Sequence, residues 1–217
     1  MVAMILAAGR GKRLRPLSDT TPKPLIKVHK KPIIEYHLER LAYLGFSDIV
    51  INMAHLGEQL PQTLGSGKRW GLNIHYSDER DSGGLESAGG IIKALAHLSD
   101  TFLVVNGDIM SDYEFDKNFE LKDTLAHLVL VKNPLHNPYG DFGLDGGLVI
   151  DEQQFTFSGI GYYSKKLFAN IELEKLPLAP ILRTNIANKQ VSGELYSGRW
   201  IDIGTVDRLR EAEAIFV

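Results

Sequence analysis

The apolar residues of this chain fall into short runs parted by polar, glycine-rich turns, and the rhythm of those runs changes near the middle. Val2-Ala3-Met4-Ile5-Leu6 is apolar throughout, as a strand covered on both faces must be. Residues 32–45 place Ile34, Leu38, Leu41 and Leu44 on one helical stripe, with Pro32 at the start and Gly45 at the end. Residues 48–52 form a second buried strand. Residues 55–67 read as a helix interrupted by Pro61, and residues 72–77 alternate like a strand. Residues 87–98 read as a helix and 101–108 as a strand. This alternation predicts a mixed, mostly parallel, Rossmann-like sheet flanked by helices. In the second half, residues 125–133, 147–150, 155–163, 191–196 and 199–204 are strand-like, and 179–189 and 205–216 helical. They predict a small antiparallel insertion, with a loop around Asn133, Pro134, Asn137, Pro138 and Gly140. No linker, repeat or low-complexity tract divides the chain, so a single domain over residues 1–217 is expected.

Composition narrows the partners. A formal charge of −3 over 217 residues argues against nucleic acid. No apolar run approaches membrane-spanning length. The absence of cysteine removes disulfide and thiolate chemistry and suits a reducing, cytoplasmic setting. The run Met1 to Ala8 has no basic residue before it, unlike a signal peptide.

Against that acidic balance, Arg10, Lys12, Arg13, Arg15 and Lys23 crowd the segment after the first strand. Gly9 and Gly11 fit G-x-G-x-x-G, but Leu14 stands at its third glycine. Lys12 follows Gly11 as in a P-loop, but Arg13 stands where Ser or Thr should hold magnesium. What remains is a polyanion site: glycines that let backbone approach a ligand, a turn able to form an anion nest, and cations at the carboxyl end of a buried strand. Asn106-Gly107-Asp108 ends another apolar strand at the same crevice. In residues 199–205, Trp200, Asp202 and Gly204 share one strand face, and Ile201 and Ile203 the other. A carboxylate among such neighbours needs a partner. Asp108 and Asp202 can share a cation, and two aspartates plus phosphate oxygens suit magnesium. The seven histidines form no metal motif, and no serine sits in G-x-S-x-G.

Residues 6–16 with Pro22-Lys23-Pro24-Leu25, together with Asn106-Gly107-Asp108 and residues 200–205, resemble the motifs of the sugar-1-phosphate nucleotidyltransferases. The resemblance implies a nucleoside triphosphate and a sugar-1-phosphate as substrates, Mg2+ as cofactor, and pyrophosphate release. It implies metal ligation by Asp108 and Asp202, and catalytic roles for Arg13 and Lys23. Nucleotide contacts fall to Ala8, Gly9, Gly11, Lys12, Arg13, Lys23, Glu86 and Gly89, and sugar contacts to Asn106, Asp141, Ser158 and Gly159. Residues 32–41, 90–95, 103–108, 140–142, 155–160, 178–183 and 191–205 are nearest to members that join UTP to N-acetylmuramate α-1-phosphate in cell-wall recycling, which implies that substrate pair and a monomer. Two positions depart from that branch: Ala88 stands where glycine is expected, narrowing the base pocket, and Met110 stands where tryptophan is expected. Alternatives are another base with glucose-1-phosphate or mannose-1-phosphate, and a non-catalytic module of the same fold.

Overall fold

The computed structural model describes residues 1–216. The first strand, β1, spans Val2–Leu6. The basic stretch after it is more ordered than a loop. It holds a 3-10 turn at Lys12–Leu14, a single helical turn α1 at Leu17–Thr20 and a second 3-10 turn at Lys23–Leu25. Lys27–Val28 (β2) and Lys31–Pro32 (β3) pair as a minimal hairpin. Helix α2 covers Ile33–Tyr43 and stops where Gly45 turns to φ +81°. Strand β4 is Asp48–Met53. The helix expected over residues 55–67 contracts to α3, Gln59–Leu64. Pro61 is tolerated there because the N–H groups of a first helical turn have no intrahelical acceptor to lose.

Strand β5 is Asn73–Asp78, helix α4 is Glu86–Ala94 and strand β6 is Thr101–Asn106. A tight turn leads into β7, Ile109–Ser111. The second half adds β8 (Ala126–Val131), β9 (Phe142–Asp145) and β10 (Leu148–Ser164). Helix α5 (Leu178–Ala187), β11 (Val191–Tyr196), β12 (Trp200–Asp202) and α6 (Val206–Ile215) complete it.

The main sheet has eight strands, in the order β11-β8-β10-β6-β1-β4-β5 with β9 on β10. Strands β6, β1, β4 and β5 are parallel, and β10 enters antiparallel beside β6. The mixed α/β sheet is the one the pattern predicts. Residues 147–150 and 155–163, expected as two strands, belong to one. β10 is continuous because it bends, pairing first with β9 and then with β8, with register shifts between Ile150 and Phe155 and between Phe157 and Ile160. The second shift is a bulge, where Gly159 takes φ +81°.

Alternation along β1 splits the core. Ala3 and Ile5 pack with Ile34, Leu38 and Leu41 of α2, whereas Met4 packs with Ile91 of α4 and Leu182 of α5. That is why the run has no polar position. A third cluster joins Leu14, Ile33, Met110, Ile201, Ile203 and Ala212. It anchors the basic stretch to the antiparallel β7–β12 ribbon. Among the described residues, no helix is long and apolar enough to cross a membrane.

Candidate active site

The carboxyl ends of β1 and β6 open into a crevice of about 610 Å³. Local chemistry shapes its floor. Gly11 sits at φ +60°, and its carbonyl accepts Leu14 N at 2.8 Å and Ser18 Oγ at 2.8 Å, which curls the basic stretch back on itself. A Cβ on Gly11 would lie 3.3 Å from both Lys23 Cβ and Ser18 Cβ. A Cβ on Gly9 would meet nothing within 4 Å, so this glycine borders open space. Ala8, Gly9, Gly11, Lys12 and Lys23 all line the crevice, as do Glu86, Asn106 and Asp108. Four cations, Arg10, Lys12, Lys23 and Lys175, face two carboxylates there, Glu86 and Asp108. The crevice is therefore cationic in an acidic chain, which favours a polyanion.

Lys23 and Asp108 form an ion pair at the crevice floor. The Pro22-Lys23-Pro24 turn fixes the lysine, since Leu25 N bonds Pro22 O at 2.8 Å and Ile26 N bonds Lys23 O at 3.1 Å. Asp108 is tied to the β12 segment through its own backbone, with Ile203 N donating to Asp108 O at 2.7 Å. Asp202 pairs in register with Ile109, one residue along. The two aspartate-bearing segments are thus joined by one ribbon.

Asp202 does have the partner that its apolar flanks require, and that partner is Arg208. The Arg208 guanidinium contacts Asp202 Oδ2 and also bonds His136 Nε2 at 2.8 Å. His136 Nε2 lies 3.0 Å from Asp202 Oδ1, yet that oxygen is buried without a hydrogen-bond donor. An orphaned carboxylate oxygen is costly unless something cationic completes it. Asp202 lies outside the crevice lining that holds Asp108, on the neighbouring strand of the β7–β12 ribbon; hard carboxylate oxygens of this type take magnesium together with substrate phosphates. Among the described residues no three acidic, histidine or cysteine side chains gather into a cage, so any such ion would draw its remaining ligands from substrate and water.

Several expected positions fall elsewhere. Arg13 is exposed and outside the crevice lining; its Nη2 lies 3.2 Å from where a Cβ on Gly204 would stand. Gly89 is buried and faces the Glu174 carbonyl, and its N–H bonds Leu176 O at 3.1 Å, so it serves helix packing and not a ligand. Ser158 is 1% exposed, its hydroxyl donating to Val129 O at 2.6 Å and accepting from Ile160 N at 3.1 Å. It closes the β10 bulge and has no hydroxyl free for a sugar. Ala88 and Met110 are both core residues, so neither departure narrows a substrate pocket.

Asp141 and Gly159 line a second cavity of about 310 Å³ that shares Leu6, Ser87 and Asn106 with the crevice. Asp141 accepts Phe157 N at 2.8 Å and Asn137 Nδ2 at 3.2 Å. Gly159 leaves the space that Asn106 fills, since a Cβ there would stand 2.5 Å from Asn106 Nδ2.

The sequence reading missed His136, Arg208 and a buried Asn52–Glu79 brace. Asn52 accepts Ala7 N at 2.7 Å and donates to Glu79 at 2.7 Å, and Glu79 takes Leu85 N at 2.7 Å. It thereby fixes both walls of the crevice. A glutamate with no exposed surface signals such a brace, but burial is invisible in a polar stretch such as residues 77–82.

A nucleotidyl transferase family model matches residues 2–216. The chain is 50% identical, over 99% of its length and 98% of the relative's, to the N-acetylmuramate alpha-1-phosphate uridylyltransferase of Neisseria meningitidis. It is 37% identical to a UTP–glucose-1-phosphate uridylyltransferase of Synechocystis, over 64% of this chain and 40% of that one. Among solved structures it resembles HddC from Yersinia pseudotuberculosis, with a TM-score of 0.81 at 21% identity, covering 100% of this chain and 99% of that one. The CTP:phosphocholine cytidylyltransferase LicC of Streptococcus pneumoniae has a TM-score of 0.76 at 24% identity, with the same coverage. These two likenesses concern the fold.

Proposed function

The chain belongs to the nucleotidyl transferase family, and on that premise we propose that it joins UTP to N-acetylmuramate α-1-phosphate, giving UDP-N-acetylmuramate and pyrophosphate. The observation that carries this reading is the crevice itself, where Lys23 and Asp108 meet at the end of β1 under a cationic rim. The 50% identity to the Neisseria uridylyltransferase supports the choice of substrates.

The reaction asks for charge management. An oxygen of the sugar phosphate attacks the α-phosphorus, one P–O bond forms, and the bond to the β-phosphate oxygen breaks. No general base is required, because a sugar phosphate is already ionised near neutral pH. The protein's task is to bring two polyanions together in line. Lys12 and Lys23 hold the triphosphate against the Gly9–Gly11 backbone. Arg13, an exposed cation beside Gly204 and outside the crevice lining, takes the departing pyrophosphate by family resemblance. Asn106, at the junction of the two cavities, orients the sugar.

Asp108 and Asp202 are the residues that would hold Mg2+, which when bound supplies charge neutralisation to the phosphates. The reading takes the enzyme to act as a monomer. A place in peptidoglycan recycling and a cytoplasmic location complete the reading.

The test is pyrophosphate release with UTP, dTTP and GTP against N-acetylmuramate-1-phosphate, N-acetylglucosamine-1-phosphate, glucose-1-phosphate and mannose-1-phosphate. The highest kcat/KM should come from UTP with the muramate compound. Equal use of glucose-1-phosphate refutes that sugar, and silence with every pair refutes catalysis.

A further inference from the structure

The second cavity is mostly apolar, walled by Phe142, Phe157, Leu178 and Leu182. Two polar groups interrupt that wall without a role in the chemistry above. The Tyr163 hydroxyl is fully buried and has no hydrogen-bond partner. Arg183, on α5, is the one cation lining the cavity among the described residues. The single carboxylate in the lining, Asp141, is engaged by Asn137 and Phe157 and does not neutralise it.

We propose that Arg183 is the specificity-determining residue for the sugar phosphate, holding a carboxylate that the sugar carries in addition to its phosphate. The inference rests on the reading above that the sugar is N-acetylmuramate. That sugar bears a lactyl ether, a methyl group and a carboxylate on one short arm, which N-acetylglucosamine lacks. An apolar wall with one guanidinium at its edge matches both ends of that arm. The connection to the reacting centre is direct, because Asn106 and Ser87 line both cavities. A molecule with its phosphate near Lys23 passes these residues to reach Arg183.

The guanidinium is placed but not consumed. It lies over the Phe142 ring, with Cζ 5.2 Å from the centroid, a packing that holds the plane of the fork. Its ion-pair partner is Asp151 on β10, and both side chains are close to half exposed, at 45% and 48%. Such a pair is weak in water. A substrate carboxylate in the drier cavity competes with it, and five N–H donors can serve more than one acceptor.

The experiment measures kcat and KM separately for N-acetylmuramate-1-phosphate and N-acetylglucosamine-1-phosphate with UTP, in wild type, Arg183→Met, Arg183→Lys and Asp151→Asn. Arg183→Met should raise KM for the muramate compound about 10- to 100-fold, the size of one lost charge-assisted contact. Its kcat, and its KM for N-acetylglucosamine-1-phosphate, should stay within about twofold. Arg183→Lys should recover part of the loss. Asp151→Asn should act in the opposite direction, lowering KM for the muramate compound by releasing the guanidinium. Equal effects of Arg183→Met on both sugars, or none on either, overturn the assignment while leaving the substrate reading intact. An Asp151→Asn variant that weakens muramate binding also overturns it, since the ion pair would then be structural. A wild type that does not prefer the muramate compound removes the substrate reading, and the role of Arg183 with it.

Discussion

Gly9 and Gly11 stand two residues apart in one turn, yet their surroundings separate them. Gly11 needs its φ of +60° and is hemmed by Lys23 and Ser18 at 3.3 Å. Gly11→Ala is strained in backbone and in space, so it should lower unfolding free energy by about 1 kcal/mol or more, visible in urea denaturation. Gly9 has open space where a Cβ would go. Gly9→Ala should therefore leave stability within about 0.5 kcal/mol of wild type while raising KM for the triphosphate, because the methyl stands where a ligand approaches the backbone. If Gly9→Ala binds the triphosphate normally, the ligand does not lie against that glycine. Gly204 is constrained by space as well: a Cβ there would collide with the Arg208 guanidinium that pairs with Asp202.

At the scale of elements, α2 shows how a helix can stabilise the fold and record pH. Its apolar stripe enters two clusters, through Ile34, Leu38 and Leu41 on one and Ile33 on the other. Between them lies His37, 5% exposed, with Nε2 unpartnered. Burial pushes its pKa from 6.5 down to about 4, against the opposing pull of the Asp108 charge. The sign follows from linkage. The folded state keeps the imidazole neutral, whereas the unfolded chain takes up a proton below pH 6.5. The stability is fully present above 6.5 and is lost as pH falls toward 4, by on the order of 3 kcal/mol in all. Urea denaturation at pH 7.5 and 4.5 should show a smaller drop for His37→Met than for wild type. Equal drops would mean that His37 is protonated in the folded protein.

Across the whole molecule, the sheet joins the two halves of the chain. β6 is hydrogen-bonded to β1 on one side and to β10 on the other, and both large clusters draw residues from both halves. We propose that the chain unfolds as one cooperative unit. The two tryptophans come from different halves of the chain: Trp70 precedes β5, and Trp200 lies on β12 with its Nε1 bonded to Ser158 O at 2.9 Å, both against one core cluster. In Trp70→Phe and in Trp200→Phe, the remaining fluorescence transition should coincide with that variant's far-ultraviolet dichroism transition. Separate midpoints would show two independently folding halves.

Local information sufficed for much of this. The unbroken apolar run of β1, the stripe of α2 and the alternation of Trp200, Ile201, Asp202 and Ile203 each encode burial within a few residues, because side-chain direction repeats every two or 3.6 positions. The glycines and cations of residues 9–23 pointed to a polyanion site for the same reason, since they lie in one short stretch of chain. What the sequence did not reveal depends on register between distant segments. Ser158 looks available until the β10 bulge hands its hydroxyl to Val129. Ala88 looks like a pocket residue until α4 turns it into the core. Arg208 and His136 meet Asp202 from positions six and 66 residues away. Periodicity determines which face of an element is buried; only the packed fold decides which side chains meet across the gap and which polar atoms are left facing the cavity.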